Sequence, residues 1–193
     1  MILASSSKSE IIRMKDQFDM KDLGNSKNIL GMVIKRNRPE NRLTVSQEVY
    51  LNKVITKFAM KGSKSVNVPL AAHMNLSSVH SPKTEEELRE MRNIPYSNAI
   101  GSVTFSMITT RPDLTYAMSF FSRFMSNPGK PHWAGLKWLL RYIVGTLSLG
   151  LVYEKRTDKL TLKGYVDTDF AGDKYNIKST TAYFFTLGDN CIT

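Results

Sequence analysis

The hydrophobic pattern of the chain changes its period once, and this change limits the possible folds more than any other feature. Before Gly150, apolar residues recur at helical spacing, as in HWAGLKWLLRYIVGT, where Trp133, Leu136 and Leu140 share one side. After Gly150, the segments LGLVYEK, KLTLKGYVDTDF and STTAYFFTLG alternate or run apolar, and polar turns separate them. The sequence therefore predicts an α+β fold in which residues 149–187 form three antiparallel strands beyond a domain boundary.

The earlier part of the chain carries local signals for a hairpin and several helices. Two β-prone runs flank a Pro-containing turn, which predicts a β-hairpin over residues 29–46. Residues 62–83 contain Gly, Ser, Asn and Pro and are expected to form a loop. Helices are predicted at 8–19, from Ser46 or Gln47 to about Met60, at 84–92, at 96–109, at 113–126 and from His132 to Gly145. The stretch TTRPDL is interpreted as structural, because Pro112 and Asp113 suit the first turn of a new helix.

Charge and cysteine content restrict the class of protein. The 193 residues contain 27 Lys and Arg against 17 Asp and Glu, a formal charge of +10 that favours a polyanionic partner such as nucleic acid. A basic surface without a ligand remains the alternative. The single cysteine, Cys191, permits no disulfide within the chain, and no apolar run reaches the length of a membrane span. We therefore expect an intracellular protein, cytoplasmic or nuclear, with no membrane partner.

Two groups of basic residues are candidates for nucleic-acid contacts. The first lies at or beside the tip of the predicted hairpin, and the second lies in the segment PGKPHWAGLKWLLRYIVGT. Contacts of these side chains with phosphates would fix the register of a bound duplex without reading its sequence. A solvated hairpin tip remains the alternative for the first group, and Trp133 is expected to pack in the core rather than stack on bases. The candidates are Lys35, Arg36, Arg38 and Arg42 on the hairpin, and Lys130, Lys137 and Arg141 in the later segment.

The segment GYVDTDFAGD, residues 164–173, places three aspartates close together. Alternation along a strand puts Asp167 and Asp169 on the same face. Adjacent carboxylates repel each other unless a cation lies between them, so the pair suggests a divalent metal ion. Two solvated acids at the end of a strand remain the alternative.

Several motifs, in this order, resemble the Pol polyprotein of copia-type LTR retrotransposons. The resemblance runs through most of the chain. It is carried by MKDLG, ILGMVIKR, LTVSQEVYLNKVITKFAM, VNVPLAAHMNL, PYSNAIGSVTFSMITTRPDLTYAMSFFSRFMSNPGKPHWAGLKWLLRYIVGT and GYVDTDFAGD with KSTTAYFFTLG.

This resemblance implies three parts and an activity for the parent protein. Residues 1–46 would be the end of a reverse-transcriptase palm with a hairpin similar to the primer grip. Residues 47–148 would be a helical thumb and connection region, and residues 149–193 the first strands of an RNase H-like fold. The parent would synthesise DNA on RNA and cleave RNA in RNA–DNA hybrids. Its partner would be an RNA–DNA hybrid or primer–template duplex.

The resemblance also implies which residue would bind metal. Asp167 matches the first aspartate of the RNase H site, where Mg²⁺ ions assist attack on a phosphodiester. The family's polymerase carboxylates precede the segment similar to residues 1–5, and its next RNase H glutamate follows the segment similar to residues 180–187. We therefore expect that this chain binds Mg²⁺ weakly and catalyses neither reaction. Departures from the family pattern at Phe170, Ala182 and residues 174–178 agree with this expectation.

Two other interpretations of the chain stay open. It is either a nucleic-acid-binding module without catalysis or a translated remnant that folds poorly, since an open sheet edge promotes aggregation.

Overall fold

The structure is a computed structural model that describes residues 5–18, 21, 24–155, 160–168, 179 and 181–192. The described residues combine α-helices with antiparallel sheets, which confirms the α+β class. Asp169, Phe170, Asp173 and residues 174–178, on which several predictions depend, lie outside the described residues.

Helices occupy most of the region between residues 48 and 145. No helix in the described ranges is long and apolar enough to cross a membrane. The α-helices are α1 (Lys8–Gln17), α2 (Glu48–Lys57), α3 (Glu85–Arg92), α4 (Tyr96–Thr109), α5 (Thr115–Ser122) and α6 (Lys130–Gly145); short 3-10 helices cover Ser78–His80 and Pro112–Leu114.

The hydrophobic core is formed by α2, α4, α5 and α6. Their buried side chains recur three or four positions apart, so each helix turns one apolar stripe towards the others. Trp133 packs at the margin of this core, edge-on to the rings of Phe58 and Tyr96, as predicted. The fully buried residues of α6 are His132, Gly135, Leu136, Leu139, Leu140 and Ile143.

The motif TTRPDL forms a buried polar network between helices rather than a binding surface. Arg111 is 1% exposed and donates two hydrogen bonds to the Asp113 carboxylate, at 2.9 and 2.8 Å. It also donates to the carbonyl oxygen and the hydroxyl of Thr146, just beyond the end of α6. Burial alone would raise the pKa of Asp113, but the hydrogen bonds and charge of Arg111, together with a hydrogen bond from the Tyr142 hydroxyl, hold the pKa below its ordinary value. The contacts thus agree with a structural role.

The predicted hairpin belongs to a four-stranded antiparallel sheet. The strands are β1 (Asn28–Ile29), β2 (Met32–Asn37), β3 (Arg42–Ser46) and β4 (Gly150–Glu154), in the order β1-β2-β3-β4. β4 pairs with β3, with Ser46 opposite Gly150 and Arg42 opposite Glu154. The prediction of one three-stranded meander over residues 149–187 is therefore wrong in its pairing. Local alternation indicates a strand but does not identify the partner strand, and here that partner lies more than a hundred residues earlier.

A second sheet contains the remaining described strands. These are β5 (Leu162–Thr168), β6 (Thr181–Leu187) and β7 (Asn190–Cys191), in the order β5-β6-β7. Asp167 on β5 pairs with Ala182 on β6. The side-chain amide of Asn190 bonds to both the N–H and the carbonyl oxygen of Glu154, which joins this sheet to the end of β4. The division of the chain into three parts stays a prediction, and the β3–β4 pairing joins the first of these parts to the third.

Candidate nucleic-acid interface

The hairpin between β2 and β3 carries the first group of predicted contacts. Its tip is the turn Arg38–Asn41, closed by a hydrogen bond from the N–H of Asn41 to the carbonyl oxygen of Arg38. Asn41 adopts a positive φ of 51°, which asparagine tolerates better than most residues. The turn holds Arg38 in an exposed position at the end of the sheet.

Pairing within the sheet separates the basic side chains. Arg36 lies opposite Leu43, which in turn lies opposite Tyr153, so these three share one face. Lys35 and Arg42 belong to the other face.

Three of the four predicted hairpin cations line a common groove. The groove has a volume of about 570 Å³ and lies between the hairpin tip, the end of β4 and the second sheet. Lys155 joins Arg36, Arg38 and Arg42 in its wall, and Glu154 is the acidic residue among the described lining side chains. Lys35 does not line it. The other lining residues are Asn37, Asn41, Leu43, Tyr153, Leu160, Gly188 and Asn190.

The cations of the groove differ in how far they are already bound. Arg42 pairs with Glu154 across the strands, at 2.8 Å from Nε and 2.6 Å from Nη2, and this hydrogen bond raises the pKa of Arg42. Arg36 donates from Nη1 to the carbonyl oxygen of Ser26 at 2.6 Å, which fixes its guanidinium while leaving the charge uncompensated. The guanidinium of Arg38 forms no hydrogen bond or ion pair with any residue in the described ranges. Arg36 and Arg38 are therefore better placed than Arg42 to bind an anion.

Lys155 and Tyr153 were not among the sequence candidates. Lys155 is the last residue of the segment LGLVYEK, and the pairing of β4 with β3 places it beside the hairpin tip. Its N–H donates to the carbonyl oxygen of Asn41. Tyr153 adds an aromatic wall to the groove. The only local signal for Lys155 was a basic residue at the end of a predicted strand, and this pattern is too common to indicate a binding site.

The second group of basic residues, on α6, lies away from the groove. Lys130 pairs with Glu90 at 2.6 Å, and the hydrogen bond raises the pKa of its ammonium group. Arg141 donates from Nε to the carbonyl oxygen of Lys64 and lies over the ring of Trp138, so it fixes the loop before α3. Lys137 is exposed. None of the three lines the groove. Lys130 is engaged in an ion pair and Arg141 in contacts with Lys64 and Trp138, whereas Lys137 has neither kind of contact among the described residues.

Asp167, the predicted metal ligand, is exposed on β5. It forms no hydrogen bond or ion pair with a described residue. The described parts of the chain contain no group of three or more His, Cys, Asp or Glu side chains that could hold a metal ion. Asp169 and Asp173 lie outside the described residues, so the described donor set does not fit a Mg²⁺ site.

The chain is similar to transposon polyproteins over its whole length. It is 44% identical, over 197 aligned positions, to the retrovirus-related Pol polyprotein from transposon TNT 1-94 of Nicotiana tabacum, and this alignment covers 100% of the chain and 15% of that polyprotein. It is 32% identical to the Pol polyprotein from transposon RE1 of Arabidopsis thaliana, over 93% of the chain and 12% of that relative. The chain thus spans less than a fifth of the polyproteins it matches.

A shorter relative is matched over most of its length. An uncharacterized mitochondrial protein of Arabidopsis thaliana is 32% identical to the chain, over 95% of the chain and 72% of that protein. No protein-family model matches the chain. No solved structure matches it either. The chain belongs to the family of retrovirus-related Pol polyproteins of copia-type retrotransposons.

Proposed function

We propose that this chain is a nucleic-acid-binding segment of a Pol polyprotein, derived from an RNA-directed DNA polymerase and ribonuclease H. Its ligand would be an RNA–DNA hybrid or a primer–template duplex. The observation that carries the proposal is the groove at the hairpin tip, whose described lining residues include four basic side chains and one carboxylate. Phosphates would bind Arg36, Arg38 and Lys155, with Arg42 held beside them by Glu154.

We expect backbone contacts rather than base readout. The cations that line the groove are Arg and Lys side chains, which commonly bind phosphate oxygens, and phosphate contacts carry no sequence information. Tyr153 offers a surface for a sugar or an unstacked base at a strand end. We therefore expect affinity that depends on salt and varies little with sequence.

We also propose that the 193-residue chain alone catalyses neither DNA synthesis nor RNA cleavage. The support is that Asp167 is the single position that the resemblance matches to a catalytic carboxylate. A primer-extension assay and a hybrid-cleavage assay with Mg²⁺ test this, and turnover above background in either would refute it.

Binding is tested by titrating a fluorescently labelled RNA–DNA hybrid at several salt concentrations. Affinity should fall with salt, and a variant that binds one phosphate fewer should show a slope of log K against log[salt] that is shallower by about 0.9. We expect each of three variants, Arg36→Gln, Arg38→Gln and Lys155→Gln, to lower the affinity and to make this slope shallower.

The matched control is Lys53→Gln, which removes one exposed charge from α2, outside the groove. It changes the net charge by the same amount and should have little effect on the affinity or on the salt dependence of binding. The α6 prediction is tested separately with Lys137→Gln. Equal effects of the groove variants and Lys53→Gln would show that binding follows overall charge and would overturn the assignment of the groove.

A further inference from the structure

The outer edge of β5 is a long strand edge with no described partner. β5 has seven residues, all of them exposed, and it lies at one end of the order β5-β6-β7. In the described part of the chain, no strand pairs with its outer side. β5 also contains no proline, which natural edge strands often use to block pairing.

Hydrogen-bond alternation shows which groups point outward. The N–H of Gly188 donates to the carbonyl oxygen of Thr161, which makes these two a hydrogen-bonded pair across β5 and β6. Hydrogen-bonded and non-bonded pairs alternate along an antiparallel ladder. Lys163, Tyr165 and Asp167 therefore bond to β6, and Gly164 and Val166 direct their N–H and carbonyl groups to the open edge.

The charges on β5 are self-complementary in one register. If two β5 strands pair antiparallel about Tyr165, Lys163 of each copy lies opposite Asp167 of the other. Gly164 then lies opposite Val166, and these are the residues whose backbone groups point outward. The charged residues fall in non-hydrogen-bonded pairs, where opposing side chains are closer.

The side chains of the same face suit this arrangement. Asp167 has no ion-pair partner among the described residues. Lys163 contacts Asp189 at 2.7 Å, and its ammonium group has further donors for a second carboxylate. Tyr165 stacks on Phe184 with ring centroids 4.7 Å apart, and the symmetric register extends this aromatic surface with Tyr165 of the second copy.

We propose that the partner of this edge is a second copy of the chain, bound through antiparallel β5–β5 pairing centred on Tyr165. The result is a two-fold dimer with one continuous six-stranded sheet. The interface is isologous, so each Lys163–Asp167 contact occurs twice.

Sedimentation velocity over a range of protein concentrations tests the proposal. The unmodified chain should form a dimer. Asp167→Lys replaces two attractive contacts by two repulsive ones and should raise the dimer dissociation constant roughly tenfold or more. Asp16→Lys on α1 changes the net charge equally and should leave the constant unchanged.

Mixing two variants isolates the register. Asp167→Lys and Lys163→Asp should each be largely monomeric alone, because like charges then face each other. An equimolar mixture should form a heterodimer, because both pairs are again opposite in charge. A monomeric unmodified chain, an unaffected Asp167→Lys variant or a mixture that stays monomeric would each overturn the proposal.

A backbone variant covers the case in which a charge variant fails to fold. Val166→Pro removes an N–H that β6 does not use, so the sheet should keep its far-UV circular dichroism while the chain becomes monomeric. A Val166→Pro chain that still dimerises would refute pairing at this edge.

Discussion

Replacing Asp113 by asparagine tests whether the buried Arg111 network holds the helical core together. Asparagine keeps the shape of the side chain but removes its charge and turns one acceptor into an N–H donor. One of the two hydrogen bonds from Arg111 then becomes a contact between two donors. The guanidinium, 1% exposed, keeps its bonds to Thr146 but loses its counter-charge.

The size of the effect follows from burial. Removing one partner of a fully buried ion pair costs about 3–5 kcal/mol. The Asp113 side chain is 34% exposed, so water partly screens the pair and the lower part of that range applies. We expect a loss of about 3 kcal/mol in the free energy of unfolding, which lowers Tm by about 6–12 °C in a chain of this size.

Urea denaturation and thermal melting followed by circular dichroism provide the measurement. Glu86→Gln on the exposed surface of α3 is the matched control, and it should change stability by no more than about 0.5 kcal/mol. A loss for Asp113→Asn as small as that of the control would show that the network does not stabilise the fold and would refute the reasoning.

The remaining predictions concern protonation, backbone contact and a buried hydroxyl. Burial lowers the pKa of His132, whose Nδ1 accepts a hydrogen bond from the N–H of Gly129. The contribution of neutral His132 to the free energy of unfolding should be fully present above the unfolded-state pKa of about 6.5 and should fall as the pH drops from there towards the folded-state pKa. His132→Gln should flatten this part of a profile of stability against pH. Gly150→Ala would push a methyl group into a carbonyl oxygen of β3 and should weaken hybrid binding and lower Tm, whereas Gly101→Ala, with open space around it, should not. Tyr96→Phe removes a 2.8 Å bond to the carbonyl oxygen of Phe121 and should lower the free energy of unfolding by about 1–3 kcal/mol, measured by urea denaturation.

Local patterns predicted most elements, because helices and hairpins depend on neighbouring residues. The hairpin, the loop before α3 and the helix from Tyr96 to Thr109 agree closely with the sequence analysis. The helix expected over 113–126 is instead a 3-10 turn at Pro112–Leu114 followed by α5. Burying Leu114 and bonding Asp113 to Arg111 fixes the chain at this point, and an apolar stripe does not reveal such a contact.

The candidate interface was only partly visible in the sequence. Arg36, Arg38 and Arg42 were found because they cluster along the chain. Lys155 and Tyr153 were missed because only the long-range pairing of β4 with β3 places them beside the hairpin. Conversely, Lys130 and Arg141 had the right charge but are engaged by Glu90 and by the carbonyl oxygen of Lys64. The sequence gives the charge of a side chain, but packing decides whether that charge is available to bind a ligand.

The buried network and the groove are connected through the end of α6. Arg111 binds Thr146, and β4 begins four residues later at Gly150, so the network fixes where β4 meets β3 and hence where Lys155 stands relative to Arg36. We therefore expect Asp113→Asn to weaken hybrid binding several-fold, even well below its own Tm, because a less ordered site must be ordered on binding. Hybrid titration at such a temperature measures this, with Glu86→Gln as control. Unchanged affinity in a destabilised Asp113→Asn chain would show that the sheet positions the groove without the helical network.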